Sequence, residues 1–361
     1  MSHLDNPMRL KFNNGKLTGL LLVLPGHEQT FLDDMKNFDF PESRSLKLMR
    51  VMGYDKHRLV KNDVCSSDLV IHGFRHLFSS TKLDKDSIDA LIVVTQSPDY
   101  FMPSTSSVIQ GELDLKQDML CLDISQGCAG FIIGLIQALS LLNQDCIQRI
   151  ALVNVDVMSR KVNPRDRNSY PLIGDAASIA IIDKSSGTEI WANLKMDGAR
   201  REALMIPAGG MRLPSSPETA KVEDAGDNNF RSKDNLRMDG SAVFNFVQTE
   251  VPPLIADIMD FSEKSDSDIR AYAFHQPNKF MLEKLADKLG VSREKVPMDV
   301  VERFGNNSGV TIPTVLATNL SSNLLNSQGL YCLAGFGVGL TWASMIMPIG
   351  PLEFCEQIDY P

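Results

Sequence analysis

The sequence predicts an α/β protein built from two similar halves. Strand-like apolar runs alternate with helix-length segments twice, once around Cys128 and once around His275 and Asn306. Residues 88–95 form a near-continuous apolar run, which is typical of a strand buried on both faces of a sheet. The length of 361 residues also exceeds one ordinary domain, so we expect two halves of similar size.

Hydrophobic periodicity places the remaining elements in each half. In the N-terminal half, residues 1–190, it predicts strands at 17–25, 119–124, 150–155 and 177–182, and helices at 66–77, 107–113 and 130–142. In the C-terminal half, residues 191–361, it predicts a strand at 269–274, helices at 279–289 and 311–325, and core elements at 331–334 and 340–347 around a glycine turn at 335–339. A helix at 241–259 must kink or restart at Pro252 and Pro253.

Two segments are less regular. Residues 30–62 mix charged and apolar residues, and we expect a helix and a loop there. Residues 197–238 are rich in Gly, Pro, Ser, Asn and charge, so they form a long surface excursion. Such a segment is either a cap over a substrate site or a solvated linker between the halves.

Composition narrows the class of protein. The chain has no run of 18 uncharged apolar residues, so we expect no membrane span, and the polar first 14 residues do not resemble a signal peptide. Its six cysteines are scattered, without CxxC or metal-ligand spacing, which favours reduced thiols in a cytoplasmic protein and no metal site. The net charge of -9 weighs against nucleic acid as the main partner.

The first candidate functional residue is Cys128. It lies on a predicted strand-to-helix turn between Gly127 and Ala129, whose small side chains would let a carbonyl group approach the sulfur. The unpaired N–H groups and the positive dipole end of a helix lower the pKa of a thiol, and the thiolate is the nucleophile. The alternative is that Cys128 is a small core residue, as free cysteines often are.

A histidine and an asparagine complete the candidate set. His275 follows a predicted strand and shares a polar turn with Gln276 and Asn278, at the sheet edge where α/β proteins place their chemistry. Asn306 lies in a turn bounded by Gly305 and Gly309. Alternatively, His275 has only a structural role, and Asn306 belongs to an ordinary Asn-rich turn.

These motifs resemble those of one known family. Residues 125–131 (SQGCAGF), 275–278 (HQPN) and 305–309 (GNNSG) are similar to the Cys, His and Asn motifs of β-ketoacyl-acyl-carrier-protein synthase III. Residues 98–104, 174–177 and 335–342 resemble its dimer-interface loop, its GDGA turn and its closing glycine turn. The resemblance implies the thiolase fold, with two pseudo-symmetric halves in five layers, α-β-α-β-α, and an obligate homodimer.

The resemblance also implies a mechanism, a decarboxylative Claisen condensation. Cys128 would accept an acyl group from a thioester. Neutral His275 and Asn306 would then donate hydrogen bonds to the oxygen on which charge develops when a malonyl thioester loses CO2. The backbone N–H groups of Cys128 and Val338 would hold the oxygen of the acyl group. Phe101 and Met102, in the dimer loop, would line the pocket of the partner. We expect no bound cofactor, since the substrates are thioesters of coenzyme A or of acyl carrier protein.

The segment that would bind the donor departs from the family pattern. In the family, a Trp and an Arg of a segment equivalent to residues 45–54 clasp the adenine of coenzyme A, and this segment contains no Trp here. The difference favours a specialised synthase of fatty-acid, lipid or secondary-metabolite biosynthesis whose donor is carried on a protein. Lys279, Lys284 and Arg293 lie on or after the helix that follows His275. They would either contact an acidic acyl carrier protein or form a solvated helix face.

Other functions fit the sequence less well. A papain-like protease also has Cys, His and Asn in this order, but it would carry a different motif around its cysteine. A non-catalytic scaffold of the same fold would not need all three residues. A hydroxymethylglutaryl-type or head-to-head condensing enzyme would need a catalytic Glu near the cysteine, and Met102 occupies the loop from which such a Glu could reach in. The main alternative is a non-decarboxylating acyltransferase of the same fold that forms an ester or an amide.

Overall fold

Two mixed β-sheets form the centre of the molecule. The computed structural model describes residues 6–361. The strands are β1 (Met8–Phe12), β2 (Gly15–Pro25), β3 (Glu28–Thr30), β4 (Lys56–Arg58), β5 (Ala90–Val94), β6 (Leu120–Ile124), β7 (Arg149–Asp156), β8 (Ala176–Lys184), β9 (Ile190–Met196), β10 (Leu204–Met205), β11 (Glu223–Asp224), β12 (Phe230–Arg231), β13 (Arg237–Met238), β14 (Ile269–Phe274), β15 (Gly329–Gly337), β16 (Thr341–Ile349) and β17 (Phe354–Tyr360).

Helices cover and separate these sheets. They are α1 (Phe31–Asp34), α2 (Glu42–Met52), α3 (Ser66–Ser79), α4 (Thr105–Glu112), α5 (Gly130–Leu141), α6 (Gly240–Ser262), α7 (Lys279–Leu289), α8 (Val300–Phe304), α9 (Thr311–Asn319) and α10 (Ser321–Asn326). Short 3-10 helices occur at Met35–Asn37, Lys85–Ser87, Met158–Lys161, Gly198–Ala203, Arg293–Lys295 and Ser308–Val310. None of the helices described for residues 6–361 is long and apolar enough to cross a membrane.

The elements stack in five layers. The six-stranded sheet has the order β17-β2-β8-β7-β5-β6, and the five-stranded sheet has the order β1-β9-β16-β15-β14. Helices α5 and α9 lie between the sheets, where Phe131, Leu135 and Val315 share one apolar core with side chains from both. Helices α3 and α4 pack on the outer face of the first sheet, and α6 and α7 on the outer face of the second. The predicted α-β-α-β-α arrangement is therefore confirmed.

Each terminal strand joins the sheet of the opposite half of the chain. Strand β1 pairs antiparallel with β9 in the C-terminal sheet, and β17 pairs parallel with β2 in the N-terminal sheet. None of β1, β9 and β17 was predicted. The proposed boundary at residue 190 coincides with the first residue of β9, and the division into halves stays a prediction.

Four predicted elements differ in the structure. Helix α6 runs continuously through Pro252 and Pro253, so the prolines do not begin a second helix. Its buried face, including Val247, Val251 and Ile258, packs on the five-stranded sheet and outweighs the roughly 3 kcal/mol cost of an interior proline. The helix predicted at 311–325 is two helices, α9 and α10, and β15 extends through the predicted glycine turn as far as Gly337. Residues 30–62 hold two helices, α1 and α2, and the β3–β4 ladder.

Candidate active site

One cavity brings the three candidate residues together. Its volume is 720 Å³, and Cys128, His275 and Asn306 all line it. Leu48 and Met52 of α2 lie on one side, and residues of α6 and α7 complete the wall. Within residues 6–361, no group of three or more His, Cys, Asp or Glu side chains is arranged to hold a metal ion.

Cys128 follows β6 and lies two residues before α5. Strand β15 passes very close to it, because a Cβ at Gly337 would lie 2.6 Å from Sγ. The backbone N–H groups of Cys128 and Val338 donate hydrogen bonds to the sulfur. Both predicted amide donors therefore lie at the thiol, and their role in holding the oxygen of a bound acyl group stays a prediction.

The thiol of Cys128 does not have the expected acidity. Burial, with a smaller contribution from the charge of Asp156, raises its pKa to about 11, although hydrogen bonds from the backbone N–H groups of Val338 and Cys128 act to lower it. The expectation that the helix N-terminus lowers this pKa is therefore wrong. Loss of solvation outweighs two amide hydrogen bonds, because a buried thiolate loses more from water than these dipoles return.

His275 is a buried, neutral imidazole. Burial lowers its pKa to about 3, although a hydrogen bond with the backbone of Ser308 acts in the opposite direction. Its Nδ1 atom lies 2.7 Å from Oγ1 of Thr311, and its ring meets the edge of Phe336. Nδ1 is thus engaged within the protein, and Nε2 is the ring nitrogen that remains for chemistry in the cavity.

The hydroxyl of Thr311 decides what Nε2 can do. Its Oγ1 also lies 3.0 Å from the carbonyl oxygen of Ser308, and it has one hydrogen to donate. If this hydrogen goes to Nδ1, then Nε2 carries the imidazole hydrogen and is a donor. If it goes to Ser308, then Nδ1 donates to Thr311, and Nε2 presents a lone pair.

Asn306 is held from both its backbone and its side chain. Its N–H donates to the carbonyl of Leu172 (2.7 Å), and its own carbonyl accepts from the N–H of Gly174 (3.2 Å). Its Oδ1 accepts from the N–H of Ser308 at 2.9 Å. Because the side-chain oxygen is occupied, the Nδ2 amino group is the part of Asn306 that can serve the cavity as a donor.

The segment that pairs with Asn306 rests on a second buried histidine. Nδ1 of His57 lies 2.5 Å from the carbonyl oxygen of Ile173, the residue that forms a β-bridge with Asn306. Nε2 of His57 lies 3.2 Å from the carboxylate of Asp34, and both side chains are buried. His57 therefore supports the backbone beneath Asn306 without lining the cavity.

Asp156 is a site residue that the sequence analysis missed. It is buried at the end of β7, and its carboxylate accepts from the N–H of Gln96 at 2.7 Å. It also accepts from the hydroxyl of Ser308 and the N–H of Gly309, and burial raises its pKa to about 6. Asp156 thus anchors the turn that orients Asn306 and His275. Its position directly after a predicted buried strand was the available signal.

The two ends of the long excursion form part of the cavity wall. Leu204 and Met238, near its two ends, line the cavity wall. Its central part docks on the N-terminal half, where Asn229 donates to the carboxylate of buried Asp166 at 2.7 Å. The excursion therefore packs on the N-terminal half and contributes to the cavity wall at its ends, and its role as a substrate cap stays a prediction.

The remaining predicted residues lie elsewhere. Phe101 and Met102 are each 83% exposed, and neither lines the cavity that contains Cys128. Lys279 lies 3.6 Å from Glu302, and Arg293 is bonded to Asp287 at 2.8 Å. Lys284 has its Nζ 5.8 Å from the ring centre of Phe280. Of the predicted carrier contacts, two already have acidic neighbours.

Comparisons with known proteins agree with one family. The family model described as 3-Oxoacyl-[acyl-carrier-protein (ACP)] synthase III matches residues 122–198, and the model of its C-terminal part matches residues 259–349. A putative 3-oxoacyl-[acyl-carrier-protein] synthase 3 of Campylobacter jejuni is 32% identical over 341 residues, which are 94% of this chain and 95% of that protein. The chain belongs to the synthase III family.

Further relatives extend this result. A β-ketoacyl-[acyl-carrier-protein] synthase III of Streptococcus gordonii is 31% identical and covers 81% of this chain and 88% of its own. The crystal structure of a 3-oxoacyl-(acyl-carrier protein) synthase from Burkholderia xenovorans superimposes with a TM-score of 0.90 at 30% identity, over 98% of this chain and 99% of the other. This synthase III is therefore a condensing enzyme of the acyltransferase class with the thiolase fold, as predicted.

Proposed function

We propose that this enzyme transfers an acyl group from a thioester to Cys128 and then joins it to the enolate of a malonyl thioester. The observation that carries the proposal is the single cavity lined by the Cys128 thiol, a neutral imidazole and an asparagine amino group. A thiol can hold the acyl group, and two neutral donors can hold an enolate oxygen.

In the first half-reaction, Sγ of Cys128 attacks the carbonyl carbon of the incoming thioester. The backbone N–H groups of Cys128 and Val338 stabilise the negative oxygen of the tetrahedral intermediate. The bond from carbon to the old sulfur then breaks, and the released thiol takes up the proton that Cys128 has lost. The acyl group remains bonded to Cys128, and the cavity is free for the second substrate.

In the second half-reaction, the malonyl carboxylate leaves as CO2, and its electron pair forms an enolate. His275 Nε2–H and Asn306 Nδ2–H donate hydrogen bonds to the enolate oxygen, which requires that Thr311 donate to Nδ1. The enolate carbon attacks the acyl carbon on Cys128. Sγ leaves and recovers a proton, so the products are a 3-oxoacyl thioester and the free thiol.

We propose that an acyl carrier protein, rather than free coenzyme A, delivers at least one thioester in the cytoplasm. Arg167 lines the cavity and faces the ring of Phe40 at 4.2 Å. Its guanidinium already donates to the carboxylate of Asp227 in the excursion at 2.7 Å. This engagement, together with the missing Trp, supports a donor that does not rely on an adenine clasp. The product class is a fatty acid, a lipid or a secondary metabolite.

We also propose a homodimer formed through the β6 edge of the six-stranded sheet. No strand described within residues 6–361 covers that edge, and the adjacent loop exposes Phe101 and Met102. A second copy of the chain would bury both side chains and continue the sheet. In sedimentation, we expect Met102→Asp to shift the protein from dimer to monomer, while a wild-type monomer at micromolar concentration would refute the dimer.

The function is tested by separating its two half-reactions. Asn306→Ala should still acylate Cys128 at a near-normal rate, measured by intact mass. It should lose malonyl decarboxylation about a hundred- to thousand-fold, measured by release of labelled CO2, because one oxyanion donor is removed. Cys128→Ala is the matched control and should show no acyl mass shift.

The alternative function is acyl transfer to an alcohol or amine, with His275 as the base. The low pKa of His275, about 3, makes it a poor base near neutral pH, which supports condensation. The proposal fails if wild-type enzyme releases no CO2 from any malonyl thioester while acyl groups leave Cys128 for an alcohol or amine.

A further inference from the structure

A buried pair, His57 and Asp34, lies directly behind the turn that carries Asn306. His57 is on β4 and Asp34 ends α1, and their side chains are 1% and 0% exposed. Within residues 6–361, neither oxygen of the Asp34 carboxylate has a hydrogen-bond partner, and Nε2 of His57 lies within ion-pair distance of it, at 3.2 Å. A carboxylate buried without a partner for its charge is strongly destabilising, so the two side chains must share a proton.

The other ring nitrogen of His57 faces an oxygen that can only accept. Nδ1 lies 2.5 Å from the carbonyl oxygen of Ile173, so this nitrogen must carry a hydrogen. The second proton of the pair lies between Nε2 and Asp34, which gives either imidazolium with carboxylate or imidazole with carboxylic acid. In both arrangements the pair as a whole is neutral, and the Nδ1–H of His57 is directed at Ile173.

The other polar groups around His57 do not compete for these hydrogens. Asp175 is a second buried carboxylate, but it accepts from the N–H of Val60 at 3.0 Å and from the N–H and the hydroxyl of Ser159 at 3.0 and 2.5 Å. The ring of Tyr170 meets the imidazole edge-on, with the ring centres 5.7 Å apart. Asp34 is therefore the proton partner of His57, and Ile173 is its hydrogen-bond acceptor.

His57 reaches the backbone of Asn306 from two sides. Ile173, whose carbonyl His57 holds, lies between the two residues whose backbone groups bind the N–H and the carbonyl of Asn306. On the other side, a Cβ at Gly305 would lie 2.8 Å from Cβ of His57. Gly305 directly precedes Asn306 and has a φ of +77°, so the turn passes close to His57 in a conformation that favours glycine. A shift of the imidazole would therefore move Asn306.

We propose that His57, with Asp34 as its proton partner, is a positioning residue that holds Asn306 in place for decarboxylation. The inference rests on the proposed function, in which Nδ2–H of Asn306 binds the enolate oxygen, and it adds the residue that fixes this donor. His57 does not line the cavity, so it acts on the substrate only through the backbone around Asn306.

The two half-reactions should depend on His57 to different degrees. Acylation uses the thiol and N–H of Cys128 together with the N–H of Val338, which belong to other elements than the turn behind which His57 lies. Decarboxylation uses Asn306, whose amide must point at the enolate oxygen. Because a small displacement of a catalytic group lowers the rate strongly, loss of the imidazole should affect mainly the second half-reaction.

The experiment compares variants in an Asp34→Asn background, which leaves no unpaired carboxylate when His57 is replaced. The amide of this background can still donate to Nε2, so Asp34→Asn alone is the reference. The variant H57F/D34N removes the donor to Ile173 and should lower release of labelled CO2 from a malonyl-loaded acyl carrier protein about tenfold relative to the reference. Acylation of Cys128, measured by mass shift, should stay within about twofold. H57N/D34N places an amide hydrogen near the position of Nδ1–H and should recover most of the lost rate.

A double-mutant comparison separates positioning from a general structural role. If His57 acts through Asn306, adding H57F/D34N to Asn306→Ala should change the remaining CO2 release by no more than about twofold. A further loss of about tenfold in the Asn306→Ala background would show that His57 supports the site by another route, and it would refute the positioning role.

The remaining outcomes are equally distinct. Unchanged CO2 release in H57F/D34N refutes the inference, and so does an equal loss of acylation and decarboxylation. If circular dichroism shows that H57F/D34N does not fold, H57L/D34N, which is smaller and also lacks the donor, is measured against the same expectations. A wild-type enzyme that releases no CO2 from any malonyl thioester overturns the proposed function itself, independently of the His57 variants.

Discussion

Alkylation of Cys128 by iodoacetamide should become about a hundredfold faster between pH 7 and pH 9. Only the thiolate reacts, and burial raises the pKa of Cys128 to about 11. Well below that value, the thiolate fraction increases tenfold per pH unit, from about one molecule in ten thousand at pH 7 to about one in a hundred at pH 9.

Peptide mass mapping after timed quenching follows the modification at Cys128 itself. A Cys146→Ser background removes an exposed thiol that would also consume reagent. Cys128→Ala identifies the peptide signal that belongs to the site. A rate that levels off between pH 7 and pH 9 would show that the two backbone N–H groups stabilise the thiolate more than burial destabilises it. The reasoning from burial would then be refuted.

Two further predictions concern residues behind the cavity. Asp156→Asn should speed alkylation of Cys128 several-fold at pH 8, because it removes a negative charge that raises the pKa of the thiol. The same variant should slow decarboxylation by up to about tenfold, because the turn at Ser308 loses an acceptor. Equal losses in both assays would indicate only a misfolded site. Thr311→Val should leave acylation of Cys128, measured by mass shift, near normal and should reduce CO2 release at least about tenfold. The reason is that Nδ1 of His275 loses its hydroxyl partner, so Nε2 no longer carries the hydrogen that it donates. Thr311→Ser keeps the hydroxyl and should restore CO2 release. If Thr311→Val releases CO2 at the wild-type rate, the assigned proton arrangement is wrong.

The layered fold and the family could be predicted from local patterns. Uniform apolar strands such as β5, and the apolar helix α5 that follows Cys128, are encoded by consecutive residues, so periodicity reveals them. The three motifs that carry the resemblance are likewise short and contiguous. Their meeting in one cavity followed from the implied fold, and the structure places all three there.

Other features depend on contacts between distant residues. Strand β1, half exposed and short, has no strong signal of its own and exists because it pairs with β9, nearly the whole N-terminal half away. Helix α6 passes through two prolines because its apolar face is buried on a sheet that the local sequence does not contain. Local propensity is a weak term that such burial overrides.

The sequence by itself therefore determined which residues do the chemistry that we propose, because nucleophile and donors are matters of side-chain type within recognisable motifs. Only the tertiary structure decided their protonation. Cys128 lies near a helix N-terminus, which favours a thiolate, but burial excludes water and the negative charge of Asp156 opposes a second negative charge, so both favour the thiol. His275 is kept neutral for the same reason. Solvation is set by everything that packs around a group, and that packing comes from all parts of the chain at once.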